Sequence, residues 1–596
     1  MNFKNILSVF AFAALLASCT GAKKADEKKT EKANGTIVDK DGKTVNIYKG
    51  GVFKVNEVEK PNSFFPHGIA TVYEHRIANQ VYQGLVKFDQ TSLDVKSCLA
   101  EKWSMNDDAT VFTYNIRKGV KFQDDACFDG GKGREVNAHD FKYCLDMLCG
   151  SNKELQNLLR TLVSGKIKGS EAYYQATLSG NTPEGGVEGI KVIDDYTLEI
   201  TLEAPFVEFN KIMATAAGYV FPKEAIAKYG KDFGKKLIGT GAFKAGKMVD
   251  LDKTVILVAN ENYWEQDENG NQLPYLEGIK YTFMQNKAGE FTNFNDGKLD
   301  MVWKVPVEEI NNVLKDFSEA SSQDVEKGNQ FQSLDALSMQ YYGFLHTSEV
   351  FSDKNVRLAF NYAIDREKLV DYTLEGDGNA TTHGIVPPMA GYPIEKVKGY
   401  TFNPDTARAL LASAGYPNGK DFPEIKLQVN TGGGTPEILA EQVQHMLKEN
   451  LGITVKVDPM PMQQHRERYE SGNADIWRAG WVADYPSPEN FLNLFLSKHK
   501  PDENGVAYMN AVRYNNPEFD KLYLQAVSTV NESERMNLFA QADQILVNDG
   551  VCMPIYNDNY IRLLRYNVKN FSQNEMEYRD FSRVFFSSEG EAKKAE

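Results

Sequence analysis

Apolar and polar residues alternate at period two in the first third of the chain. Val111-Phe-Thr-Tyr-Asn-Ile116, closed by Arg117-Lys-Gly119, reads as a strand. Val192 to Leu202 reads as a hairpin with Leu198, Ile200 and Leu202 on one face and Asp194-Asp195 as its turn. From about Asn355 the period changes. Glu437 to Asn450 carries Ile438, Leu439, Val443, Met446 and Leu447 at helical spacing, Gly452 stands just past its end, and Ile453-Thr-Val-Lys-Val457 reads as a strand. The pattern predicts a strand-rich part before Pro205 followed by helix-then-strand units: an α/β architecture in several lobes, without an internal repeat.

The two ends break this pattern. Ile6 to Ala17 is an apolar run too short for the ~20 residues of a spanning helix. With Lys4 ahead of it and Leu16-Ala17-Ser18-Cys19 behind, it reads as an export signal whose close is similar to a bacterial lipobox, making Cys19 the expected lipid carrier. An ordinary signal with an incidental cysteine is the alternative. Ala22 to Lys32 is almost all Ala, Lys, Asp, Glu and Thr, a solvated tether, and the stretch from Ser587 is a polar tail.

Composition narrows the class. The 596 residues allow about four compact units at ~150 residues each. A formal charge of -15 disfavours nucleic acid or an anionic membrane surface as the main partner. Beyond Cys19, the cysteines Cys98, Cys127, Cys144, Cys149 and Cys552 are too sparse for a disulfide scaffold and lack zinc-knuckle spacing, so each is expected to be buried or paired. Gly-x-Ser-x-Gly, Walker, and His-Glu-x-x-His signatures are missing. Gly239-Thr-Gly-Ala-Phe243 reads as a turn entering a strand, and Gly432-Gly-Gly434 as a connection before a helix. A glycosidase needs only two carboxylates, so a hydrolase stays open.

Longer motifs carry a resemblance. Pro66-His67, Tyr82-Gln-Gly-Leu-Val86, Leu99-Ala-Glu-Lys-Trp103 and Tyr114-Asn-Ile-Arg-Lys-Gly-Val-Lys-Phe122 are followed in order by Gly239–Phe243, Val356-Arg-Leu-Ala-Phe-Asn-Tyr-Ala-Ile-Asp-Arg366 and Asn403-Pro-Asp-Thr-Ala-Arg-Ala-Leu-Leu-Ala-Ser-Ala-Gly-Tyr416. Over about residues 45–580 this resembles the family 5 extracellular solute-binding proteins that serve dipeptide and oligopeptide ABC importers. The resemblance implies a bilobal type II periplasmic-binding-protein fold with an extra subdomain on the first lobe. Its expected divisions are a signal at 1–18, a lipidated tether at 19–45, lobe I at 46–302 with a strand-rich subdomain at about 85–205, lobe II at 303–554, a return to lobe I at 555–586, and a tail at 587–596. The chain is expected to cross near Asp300 to Lys304 and return near Pro554 to Tyr556.

Asp475-Ile-Trp-Arg-Ala-Gly-Trp-Val-Ala-Asp-Tyr-Pro-Ser-Pro-Glu-Asn-Phe-Leu492 resembles the family's peptide site. By that resemblance Asp484 takes a ligand's α-amino group and Arg478 lies near its C-terminal end. Gly480, Trp481 and Val482 offer main-chain groups, Trp481 also walls a side-chain pocket, and Tyr556 lies near the hinge. Trp477, on the opposite strand face from Arg478, is expected in the core. The chain departs from the family in an expanded segment, Gln123 to Val136, and in having no His or Arg between Gln428 and Glu437, which puts ligand length in question. The implied protein is a lipid-anchored, monomeric, non-enzymatic receptor without metal or cofactor, passing peptides to an ABC permease in the inner membrane. Alternatives are the same fold with another solute (a glycan, a nickel chelate or haem) and a surface-anchored hydrolase.

Overall fold

The structure is a computed structural model that describes residues 35–38 and 44–587, apart from 70, 153, 156, 307–308, 311, 314–328, 432–434, 502–504 and 508. The expected signal, Cys19 and most of the polar tail lie outside the described residues. Within the stretch read as tether, Gly35–Val38 and Thr44–Ile47 pair antiparallel. Their β-branched alternation outweighs the polar composition before them.

Two large sheets organise the chain as two lobes. In the first lobe, Phe243–Asp250, Thr254–Ala259, Gly278–Phe283 and Val52–Glu57 form a four-stranded sheet in that order, its last pair parallel. A second four-stranded sheet, all antiparallel, runs Ala100–Met105, Val111–Ile116, Thr197–Thr201, Ile190–Asp194. The helix Ala138–Cys149 packs on this sheet, with Phe141, Leu145 and Leu148 buried. Its start is fixed by a capping box in which Asn137 and Asp140 satisfy each other's main-chain N–H. Helices at Arg160–Val163 and Ser170–Leu178 make this part mixed α/β and not strand alone.

The second lobe is built on a six-stranded sheet in the order Asn379–Ala380, Cys552–Asn557, Ser338–Phe344, Ile476–Val482, Ile425–Asn430, Val455–Met460. The helix Thr435–Leu451 covers it with buried Ala440, Val443 and Leu447. A three-stranded sheet carries the chain between lobes: Met301–Trp303 and Gln330–Asp335 flank Asn559–Leu564. Cys552–Asn557 belongs wholly to the six-stranded sheet, so the return passes at Asp558, just beyond the expected Pro554 to Tyr556. The returning segment docks on the first lobe through buried charges. Glu57 meets Arg76 at 3.1 Å and Arg579 at 2.6 Å, and Glu577 meets Arg579 at 3.0 Å.

Two local expectations shift. The hairpin turn is Asp195-Tyr196, because the Asp194 carboxylate accepts the Tyr196 N–H at 2.8 Å. The strand expected at Ile453–Val457 runs Val455–Met460, because Gly452, left-handed at φ +73, packs against the Asn418 carbonyl and Ile453-Thr454 carry the chain off the helix. Tyr556 sits inside its strand, two residues before Asp558. Gly239 and Gly241 do precede a strand, and a side chain at either would strike the Val81 main chain. Cys98, Cys144, Cys149 and Cys552 are buried, Cys127 is half-buried, and all five are free thiols.

Candidate functional site

The strand Ile476–Val482 carries the site because only one of its edges is fully paired. On one side it is antiparallel to Ser338–Phe344 from Ile476 through Val482. On the other, Ile425–Asn430 pairs with it only at Leu427↔Ile476 and Gln428↔Trp477. The Ala483 N–H donates to the Leu337 carbonyl (2.9 Å) and the Leu345 N–H to the Asp475 carbonyl (2.9 Å). Odd-numbered main-chain groups therefore face Ser338–Phe344, and even-numbered ones face the other edge. The Arg478 carbonyl on that edge already lies 2.8 Å from His465 Nε2. Gly480 and Val482 come next, where Ile425–Asn430 no longer runs alongside.

Opposite charges stand at the two ends of this edge. Arg478 is half-buried and donates through Nη1 to Asn430 Oδ1 (3.2 Å) and through Nη2 to Gln340 Oε1. Both partners are neutral. Asp484 opens to the cleft, where surrounding protein displaces water from its carboxylate and pushes its pKa up to about 6; the Asn490 side chain opposes the shift and the Glu489 charge adds to it. Among the described residues no Lys or Arg pairs with Asp484. Six residues of extended chain separate the Cα atoms of the two residues, at most about 20 Å at ~3.3 Å per residue.

Neutral amides hold these groups in place. Asn490, buried at the start of the second lobe's helix Pro488–Leu492, accepts from Trp481 Nε1 (2.8 Å) and the Asp484 N–H (3.1 Å), and its Nδ2 reaches Asp484 Oδ2 at 3.4 Å. Gln340 receives Arg478 and donates to Asp558 Oδ2 (2.7 Å) at the passage between sheets, where Asp558 also pairs with Lys304 at 3.1 Å. A side chain at Gly480 would come within 2.5 Å of Gln340 Oε1, so the glycine lets Gln340 lie against the strand. Burial holds His465 near pKa 4 and therefore neutral, with its second ring nitrogen 2.9 Å from Gln428 Nε2.

Arg478, Gly480 and Trp481 border one cavity of about 300 Å³. Tyr556 is buried and shares a separate small pocket behind Arg478 with Gln340 and Tyr342. Trp477 is buried and stacks on Tyr469 at 5.4 Å. Gln340 and Asn490 escaped the sequence reading. A signal for each exists: Gln340 is a polar residue within the apolar run Ser338–Phe344, and Asn490 lies inside the Asp475–Leu492 motif.

The lobes meet directly after Asp484. Lys211 Nζ donates to the Pro486 carbonyl (2.7 Å), Ser487 Oγ donates to Glu208, and the Val207 N–H donates to the Val527 carbonyl (3.2 Å). Glu489, fully buried, accepts from the hydroxyls of Tyr485 and Tyr523 and lies 3.9 Å from Lys166.

Known proteins share this arrangement of lobes. The chain is 25% identical over 596 residues to heme-binding protein A of Haemophilus influenzae, covering 98% of this chain and 99% of that one. It is 26% identical over 509 residues to the periplasmic oligopeptide-binding protein OppA of Salmonella typhimurium, covering 84% and 86%. The solved structure of DppA from Helicobacter pylori in complex with the peptide STSA matches with a TM-score of 0.73 at 22% identity, covering 90% of this chain and 98% of that one. These likenesses establish the type II periplasmic-binding-protein fold. Residues 94–502, more than half of the chain, match the bacterial extracellular solute-binding proteins, family 5 (middle), and the chain belongs to that family.

Proposed function

We propose that this protein is an extracytoplasmic peptide receptor that binds peptides between its lobes without turning them over, works as a monomer and delivers them to an ABC permease. The observation that carries this reading is the half-open edge of Ile476–Val482 with an unpaired carboxylate at one end and a guanidinium held only by amides at the other. An extended peptide has the matching features: main-chain groups that complete a strand edge, an ammonium for Asp484 and a carboxylate for Arg478. The span of about 20 Å corresponds to peptides of up to about six residues held at both ends. OppA, named for oligopeptides, and DppA, solved in complex with the peptide STSA, support the reading by similarity.

Haem is the second reading, favoured by the end-to-end match to heme-binding protein A. Mass spectrometry of ligands released by denaturing the purified protein separates the two. Mixed peptides are expected; a haem absorption band or a single sugar overturns the peptide reading, and turnover of an added peptide overturns the receptor reading. The anchor belongs to the same proposal. Cys19→Ser is expected to move the protein from the detergent phase to the aqueous phase, and a variant that stays with detergent overturns the lipobox.

A further inference from the structure

Asp558 stands where the chain returns between the lobes, and both oxygens of its carboxylate are engaged. Oδ1 pairs with Lys304 Nζ at 3.1 Å. Oδ2 accepts from Ser338 Oγ and from Gln340 Nε2, each at 2.7 Å. Ser338 and Gln340 are two residues apart on one strand, so their side chains share a face and can reach one carboxylate. Lys304 follows Met301–Trp303 on the outgoing passage, with its N–H on the Ile561 carbonyl at 2.9 Å. One ion pair therefore joins the two passages between the lobes. Burial alone would raise the Asp558 pKa, but the Lys304 ammonium and the Ser338 and Gln340 donors outweigh it and hold the carboxyl below its ordinary range.

This carboxylate decides which way the Gln340 amide faces. A side-chain amide has one donating and one accepting end, whereas an ionised carboxylate accepts and does not donate. Nε2 therefore turns to Asp558, and Oε1 is left to accept from Arg478 Nη2. A guanidinium donates and cannot accept, so a reversed amide would set NH2 against it and release it. The other side-chain contact of Arg478, Nη1 to Asn430 Oδ1 at 3.2 Å, is at the long end of a hydrogen bond.

We infer that Asp558 is a positioning residue for the ligand's anionic end: held by Lys304, it orients the Gln340 amide and through it aims the Arg478 guanidinium at the open strand edge. The inference rests on the peptide reading, in which Arg478 meets a carboxylate. Because Lys304 and Asp558 belong to different passages, the aim of Arg478 depends on how the passages align as well as on its own strand.

The test is calorimetry on the purified protein with tetra-alanine and tetra-alanine amide, compared as the ratio of their dissociation constants. The unmutated protein is expected to bind the free acid at least about tenfold tighter, because the acid gives Arg478 a charged partner. Asp558→Asn keeps the shape of the side chain, but Lys304 claims its oxygen, so its NH2 faces Gln340 and the amide reverses. The ratio is then expected to fall to within about threefold of one. Lys304→Met is expected to lower it in the same direction, and Lys304→Arg to keep it. Thermal melts establish that each variant is folded; Lys304 is partly exposed, so Lys304→Met carries the test if Asp558→Asn does not fold. Folded variants that weaken both peptides equally and leave the ratio at its parent value show a purely structural role and overturn this inference alone. Equal binding of acid and amide by the unmutated protein overturns the role of Arg478 and this inference with it. Failure of both peptides to bind overturns the peptide reading as a whole.

Discussion

Lowering the pH from 7 to 5 switches off the charge on Asp484. The cleft raises its pKa to about 6, so roughly 90% of it is ionised at pH 7 and roughly 10% at pH 5. A ligand ammonium favours the ionised form, so the pKa in the complex falls below that of the free protein, and binding releases a proton whenever Asp484 starts protonated. Affinity is therefore nearly full at pH 7 and falls as the pH drops through 6. The expected loss from pH 7 to 5 is about tenfold, or about 1.4 kcal/mol. The ligand adds nothing to this slope, because a free α-amino group at ~7.7–8.0 and an α-carboxyl at ~3.5 keep their charges across the range. Asp377 and Asp543 are also raised to about 6 by burial, and their contribution persists in Asp484→Asn. Calorimetry at both pH values, in buffers of different ionisation enthalpy, measures affinity and counts protons. An affinity that stays flat in the unmutated protein, or an Asp484→Asn variant with the full slope, refutes the amine-anchor argument.

Three further outcomes are expected. Asn490→Ala frees both the Trp481 indole and the Asp484 main chain, two bonds of ~1 kcal/mol each, so affinity should fall roughly tenfold or more with a shift in tryptophan emission; unchanged affinity would show that Asn490 orients nothing the ligand uses. Lys211→Met deletes the charge-assisted bond to the Pro486 carbonyl, worth ~1.5–3 kcal/mol, and is expected to speed ligand release at least tenfold in stopped flow, whereas an unaltered release rate means the lobes hold closed by other contacts. Asp543 is buried against the Ile385 and Val386 N–H groups and the Tyr392 hydroxyl. Its folded pKa lies above its unfolded one, so its stabilisation is present below about pH 4 and is lost as pH rises through 6, by up to about 3 kcal/mol. Denaturant titrations of Asp543→Asn at pH 4 and 7 should show a flatter pH dependence than the parent, and identical slopes would contradict this.

What the sequence reveals and what it hides divide along contact range. Val111–Ile116 is predicted residue for residue, and the helix found at Thr435–Leu451 is predicted to within two residues at either end, because periodicity is a local property. Arg478 and Asp484 enter as candidates through a motif within one segment. Gln340 is not, since its role depends on Asp558, which is 218 residues away and is brought beside it only by the six-stranded sheet. Tyr469, Phe495 and Val512 likewise become walls of one cavity only after three separate segments fold against the same strand edge. Gly480 is legible as a site of close main-chain approach, but the neighbour that requires it, Gln340, comes from another strand.

On the peptide reading, the segment Ile476–Leu492 joins ligand and interlobe contact in one short piece of chain. Its strand offers the open edge, Asp484 follows, and Pro486, Ser487 and Glu489 then meet Lys211, Glu208 and Lys166 of the first lobe. Closing the lobes over an empty site strips water from Asp484 without giving it a counter-charge. The direction of its pKa shift, upward from loss of water, has the same sign. Closing over an ammonium supplies the missing charge at the same position, so the ligand binds the closed arrangement better than the open one, and this difference is what a ligand needs to shift the balance between them. Asn490 holds both Asp484 and Trp481 from within the helix that carries Glu489, so Asp484 and the interlobe contacts are tied to one short element. On the peptide reading, filling the site and shutting it are expected to be coupled through the pairing of Asp484.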